Sequence, residues 1–326
     1  MRRVCAAFLL ALLAATGAGA QTPDPTPYPQ IETGMHLAAI NRVARSPETG
    51  TIVTVSDDKT ARLWSADGLK PLGVIRPPLG PKDDGALFAV TAWNKIVAVG
   101  GRIRDGAQFA VQFYRMPDLK LVGHLSNLPA PVSALCASRD GSTLAVGMVG
   151  GRGVAFFDLQ HGGRQTGADP AYDGQVQWID IAPDGRAVAT GEDGRIRLYG
   201  PDHRRLSDAL LPASGKPYAV AFAPDARSVA VADERSPTVW LLDAATLAVR
   251  GSLGGAPGRV GGFNVVAFAA NGRSVFAGGT YKVPPNGVRL VRRWTLDSGA
   301  AAEIEIGTDT VTDIAPLDHG LVVSDA

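Results

Sequence analysis

The chain has 326 residues, 45% of them hydrophobic and 6% aromatic, with 39 glycines and a formal net charge of +1. That length and apolar content exclude a disordered chain, and the near balance of charge excludes nucleic acid as the expected partner. Glycines scattered among short valine and alanine runs point to short strands joined by tight turns, an all-β class.

At the start of the chain, Arg2 and Arg3 precede an apolar run from Val4 to Ala15, and Ala18-Gly19-Ala20 supply small residues before a cleavage point at Gln21. Residues 1–20 therefore read as a secretory signal peptide. Its apolar run falls short of the roughly 20 residues a helix needs to cross a bilayer, so no membrane span is expected after cleavage. The mature protein is expected in the periplasm or outside the cell. Loss of Arg2 and Arg3 takes the 32 basic residues to 30 against 31 acidic ones, close to neutral. Cys5 lies in the signal, and Cys136, left alone in the apolar stretch from Val132 to Ala137, reads as a small core residue rather than a nucleophile.

Residues 21–29, with Pro23, Pro25, Pro27 and Pro29, form a stiff proline-rich linker. From residue 30 onward the chain repeats itself. The clearest units are VQWIDIAPDGRAVATGEDGRIRLYG from Val176 and YAVAFAPDARSVAVADERSPTVWLLD from Tyr218. Each has an alternating apolar strand, a tight turn, a second strand ending in small residues, a polar loop, and a third strand closing on an aromatic or large apolar residue. The turns recur at Pro47–Gly50, Asn94, Asp140, Asp184, Asp225, Asn271 and Asp318, and the closing residues are Trp64, Tyr114, Phe157, Tyr199, Leu242 and Trp294. Units start near residues 40, 87, 131, 175, 217, 263 and 310. Four strands per unit at this period fit the blade of a β-propeller and exclude helical repeats, so seven blades are expected over residues 30–326.

Within the first unit, Ser56-Asp57-Asp58-Lys59-Thr60-Ala61-Arg62-Leu63-Trp64 resembles the WD40 signature SxDxTxRxW, with Ser65 where the second residue of the Trp-Asp pair would stand. His36, after Gly34-Met35, is similar to the Gly-His element with one residue inserted. The resemblance assigns His36, Thr54, Asp58 and Trp64 to a structural hydrogen-bonded network, a role that accounts for His36 and Asp58 without making them acid and base. Asp193 stands before Tyr199 as Asp58 stands before Trp64, but the fourth unit has no matching histidine, and the other units depart further. The layout as a whole also resembles bacterial exported WD40 proteins that often carry a caspase-like peptidase domain further along.

The seventh unit starts at Thr310 and reaches Val323 after two strands, so the last blade is expected to be incomplete and the chain to be a fragment of a longer protein. Gln30 to Thr33 is a candidate outer strand for it.

Catalytic chemistry finds little support. His36, His124, His161, His203 and His319 are spread over different units with no metal-ligand spacing, and no GxSxG elbow or Cys-His pair is present. No metal, cofactor or catalytic residue is expected. The pairs Gly100-Gly101 and Gly278-Gly279 and the run Gly150-Gly151-Arg152-Gly153 end second strands instead of opening helices, so they read as turns, not phosphate cradles. Only Asp180 and Asp313 place a carboxylate on a first strand. What varies between units is the second-to-third-strand loops and some inter-blade connections, which share one propeller face. Arg76, Asp84, Arg102, Arg104, Glu234, Arg235, Tyr281 and Lys282 are the candidate partner-binding residues there. The expected function is a non-catalytic scaffold for protein–protein interaction. A propeller enzyme of lactonase or quinoprotein type, and the regulatory half of a caspase-like protease, are the alternatives.

Overall fold

The structure, a computed structural model, describes residues 34–326 apart from 47, 286 and 319. The expected signal peptide (1–20), the linker (21–29), the candidate outer strand at Gln30 to Thr33, Pro47 and His319 lie outside the described residues.

Short antiparallel sheets follow one another along the chain, each with its strands in chain order. Blade one is built from Ile40–Ser46, Thr51–Ser56, Ala61–Ser65 and Pro71–Ile75. The inner strands of blades two to six are Leu87–Trp93, Val132–Ala137, Val176–Ile181, Pro217–Phe222 and Phe263–Phe268. Blade two carries one addition, the two-residue strand Arg104–Asp105, which pairs with Gln108–Arg115. Burial follows position: Thr51–Ser56 is buried at every residue, whereas the outer strand Arg205–Leu210 alternates between exposed and half-buried. A central strand covered on both faces reads as a continuous run of small and β-branched residues, and an outer strand does not.

Among the described residues there are six blades, not the expected seven. The last unit, Val311–Leu317 with Gly320–Asp325, is a two-stranded sheet. It nevertheless occupies a place in the ring. Val311 and Ile314 pack with Val265, Phe276 and Val291 of blade six. Toward blade one, Thr312 Oγ1 donates to the Ile40 carbonyl (2.6 Å), the Val43 N–H donates to Asp313 Oδ2 (2.9 Å), and Arg45 pairs with Asp318 (2.7 Å). The inner strands thus contact one another in a closed circle, with this hairpin between blade six and blade one.

All seven inner strands carry a register shift near their start, for example between Ile40 and Arg42, between Val176 and Trp178, and between Val311 and Asp313. A bulge bends the strand and raises its twist, which the crowding of strand starts around an axis requires. The bulged residue is then free to staple blades together: Asn41 Nδ2 donates to the Leu87 carbonyl (2.8 Å) just as Thr312 does to that of Ile40. Close approach between blades has its own device. A Cβ on Gly147 would stand 2.7 Å from Val176, and one on Gly100 would stand 2.8 Å from Val132, so glycine one residue before the end of each strand admits the valine of the next inner strand.

Four of the first-to-second-strand turns share one hydrogen bond. Asp140, Asp184, Asp225 and Asn271 each accept, on a side-chain oxygen, the N–H two residues on, at 2.9–3.1 Å. This is an Asx-type turn followed by a left-handed residue, glycine in three of the four cases. The exception is Ala226, at φ 58°. Its Cβ makes that conformation costly, so Ala226→Gly is expected to stabilise the fold by about 1 kcal/mol in denaturant unfolding, and an unchanged midpoint would contradict it.

An antiparallel meander places the second-to-third-strand loops and the blade-to-blade connections at one end of the strands. The tight turns lie at the other.

Candidate functional site

Two features of the ring bear on function: a polar network at the edge of blade one and the loops at the open end. In the network, Asp58 and Thr60 lie in the turn between Thr51–Ser56 and Ala61–Ser65, and His36 reaches them from the segment before the inner strand. Trp64 Nε1–H donates to Thr54 Oγ1 (2.9 Å), Thr54 Oγ1 lies 2.7 Å from His36 Nε2, and His36 Nδ1 lies 2.9 Å from Asp58 Oδ2. A neutral imidazole protonated on Nδ1 satisfies every member, with the threonine hydroxyl accepting from the indole and donating to Nε2. Asp58 also accepts the N–H groups of Leu37 (3.0 Å) and Thr60 (2.9 Å) and the Thr60 hydroxyl (2.6 Å). Burial works to raise the pKa of Asp58, but the hydrogen bonds from His36, Thr60 and Leu37 outweigh it and hold the carboxyl well below the usual range. The side chains of His36 and Asp58 are only 3% and 7% exposed, so neither is placed to meet a substrate.

Blade four meets the same need with other chemistry. In blade four Tyr199 stands where blade one has Trp64, and its hydroxyl donates to Asp169 Oδ2 (2.9 Å) while meeting the Tyr172 hydroxyl at 2.8 Å. Asp193, which has no histidine to bind, is paired instead with Arg197 (2.5 Å), whose guanidinium lies 3.7 Å over the Tyr172 ring. The Arg197 side chain is 2% exposed. Sequence reasoning found Asp193 and Tyr199 but missed Tyr172, Asp169 and Arg197. The Asp-x-x-x-Arg spacing within one hairpin was the available signal.

At the open end, the candidate loop residues separate into groups. Arg104 pairs with Asp84 (3.3 Å) and lies 4.4 Å over Phe109, so the 76–84 connection and the 102–108 loop brace each other. Backbone bonds from Gly85 N to the Arg102 carbonyl (2.9 Å) and from Arg102 N to the Ala86 carbonyl (2.8 Å) fix the base. Lys59 Nζ donates to the carbonyls of Gly80 (3.3 Å) and Lys82 (2.5 Å). On the far side of the ring, Glu234 pairs with Lys216 (2.8 Å) and Arg235 donates to the Ser214 carbonyl (3.0 Å). Arg76, Arg104 and Arg235 are exposed, and Asp84, Arg102, Glu234 and Lys282 are half-buried.

Tyr281 does not belong to this group. It is fully buried, its ring 4.8 Å from that of Phe263, with its hydroxyl accepting the Ala256 N–H (2.8 Å) and donating to Glu303 Oε1 (2.5 Å). The reason is that its loop folds back. Lys282 bridges Val260 and Arg289 in a short antiparallel run, which turns the preceding ring inward.

Along the axis lies a cavity of about 310 Å³ lined by inner-strand residues, among them Arg42, Ala89, Ala134, Trp178, Asp180, Val220, Phe268 and Asp313. Asp180 accepts the Phe222 N–H of the next blade (2.7 Å) and Asp313 that of Val43 (2.9 Å), so each carboxylate joins two neighbours in the ring. Burial pushes both up to about 6 despite these bonds. The Cys136 thiol, 3.8 Å from Asp180, is raised well above its usual value by burial and by the Asp180 charge, the opposite of an activated nucleophile. Among the described residues, no group of three or more His, Cys, Asp and Glu side chains could hold a metal ion, and no helix is long and apolar enough to cross a membrane.

The WD40 family model, described as WD domain, G-beta repeat, matches residues 30–65. The match takes in His36, Thr54, Asp58 and Trp64. The protein is a β-propeller with a WD40 repeat. No curated protein matches the chain. The WD40 repeat ends within blade one, and blade four, which lacks its network, has the Asp193–Arg197 pair and the Tyr199–Asp169 bond in its place.

Proposed function

We propose that this WD40 propeller is a non-catalytic scaffold acting in the periplasm or outside the cell, and that its loop-bearing face binds a protein partner. The observation that carries this reading is the cross-bracing of the open-end loops: Asp84 with Arg104, Lys59 with the 80–82 backbone, Glu234 with Lys216. Loops held in one conformation lose little entropy on binding, which is what a docking face gains from rigidity. The signal-like residues 1–20 support the location. WD40 propellers commonly serve as protein-interaction scaffolds, and the polar groups of blade one, the most reactive-looking in the sequence, are consumed in holding the blade together.

Photo-crosslinking from positions 76, 104 and 235 in the cell envelope identifies the partner, whose affinity is then measured against two folded variants. Substituting Arg76, Arg104, Arg235 and Lys282 together by alanine is expected to weaken binding by about tenfold or more. Substituting Lys95, Arg139 and Arg227, exposed on the opposite face, leaves it unchanged. Equal affinity for both variants would remove the loop-bearing face from consideration.

A further inference from the structure

Arg42 leaves its own blade. Blade one touches blade two on one side and the terminal hairpin on the other, whereas blade four lies between blades three and five. A side chain from blade one meets blade four only by crossing the axis, and Arg42 does so. Its guanidinium lies 4.1 Å from the centre of the Trp178 ring, one terminal nitrogen donates to the Gln177 carbonyl (3.1 Å), and the other turns back to the Asn41 carbonyl (2.8 Å). Trp178 and Asp313 stand immediately past the bulge in their own strands, as Arg42 does in its own, so the three lie at one level around the axis, near the end where the inner strands begin. Asp313 lines the same cavity as Arg42 and Trp178. The inner-strand residues Ala89 and Ala134 are alanines on the same cavity wall, leaving room for the arginine to pass.

The parts around the guanidinium are those that recognise one: an aromatic face for its flat apolar surface, a carbonyl that accepts its N–H, and a carboxylate on the wall of the same cavity. We propose that Trp178, the Gln177 carbonyl and Asp313 form a guanidinium-binding site at the loop-bearing end of the axial channel, and that Arg42 is its intramolecular occupant, barring the cavity beneath. The inference is independent of the scaffold reading, since it concerns the axis and not the loops. An external guanidinium takes the site only when Arg42 is absent or displaced.

The test is chemical rescue. In Arg42→Ala, checked for folding by circular dichroism, Trp178 emission is isolated by subtracting the spectrum of the same protein carrying Trp178→Phe, and acrylamide quenching is measured while methylguanidinium is titrated at constant ionic strength. Acrylamide is expected to quench Trp178 more strongly in Arg42→Ala than in the unsubstituted protein. Methylguanidinium restores the shielding saturably, binding about tenfold more tightly than tetramethylammonium, which lacks planar donors. Neither cation changes the unsubstituted protein, whose site is full. Equal quenching with and without Arg42, or no saturable effect of methylguanidinium on the folded variant, overturns the proposal. Should Arg42→Ala not fold, Arg42→Met keeps the packing on Trp178 while removing every donor, and the same two readouts decide.

Discussion

Replacing Asp313 by asparagine is expected to make the propeller more stable at pH 7 and to flatten its stability between about pH 4 and pH 6. The carboxyl is 5% exposed and burial raises it from 3.8 to about 6. In that interval the folded chain holds a proton on Asp313 that the unfolded chain has released. Stability therefore falls as pH rises from about 4 to about 6 and is constant above, where the ionised group remains buried at a cost of about 3 kcal/mol. An asparagine keeps an oxygen for the Val43 N–H without the charge. Urea unfolding of the two proteins from pH 4.5 to 8 measures the difference, which should grow with pH and level off. Parallel curves would show that Asp313 is neutral or well solvated across the range. Asp180, likewise raised by burial to about 6 while accepting the Phe222 N–H at the blade four to blade five junction, gives Asp180→Asn an effect of the same sign.

The opposite sign is expected at Asp58. Asp58→Ala leaves the His36 imidazole, the Thr60 hydroxyl and two N–H groups without their acceptor inside a nearly buried network, and should destabilise the fold by about 3 kcal/mol. Asp58→Asn should cost about 1 kcal/mol, because the amide oxygen still accepts and His36 can shift its proton to Nε2 and accept at Nδ1. The linkage follows from the lowered carboxyl: its stabilisation is present above about pH 4 and is lost as pH falls further, so the gap between the unsubstituted protein and Asp58→Ala narrows in acid. Thermal unfolding of the three proteins at pH 7 and pH 3.5 checks both statements. An Asp58→Ala protein as stable as the parent would mean that the chain of bonds from Trp64 to Asp58 holds nothing together. The two carboxylates thus act with opposite sign: Asp58 stabilises the fold above about pH 4, and Asp313 weakens it as pH rises from about 4 to 6.

Much of this architecture could be read in advance, and the boundary of what could is physical. Strand alternation, Asp-Gly turns and small-residue strand ends are local patterns, set by interactions within a few residues. The network of His36, Thr54, Asp58 and Trp64 was legible because a repeat signature covers it, and the structure brings those four side chains within hydrogen-bonding distance. Tyr281 was misplaced because its loop returns toward the core through a two-residue bridge with no pattern of its own. The seventh blade was expected from a count of turns; the sequence already ran out after two strands of it, and the structure has a two-stranded hairpin at Val311–Asp325 beside six blades, not a seventh blade.

By itself, the sequence determined that the chain is all-β, that it is built of repeated antiparallel units, and that its first unit has the WD40 side-chain set, since each of these depends on neighbours close along the chain. Only the tertiary structure decided that a hairpin closes the ring, that Asp180 and Asp313 become buried links between inner strands, and that Arg42 meets Trp178 and the Gln177 carbonyl across the axis. Those partners lie tens to hundreds of residues apart. They meet because each blade can bury its faces only against another blade, and the circle that results brings remote strand starts to a common centre.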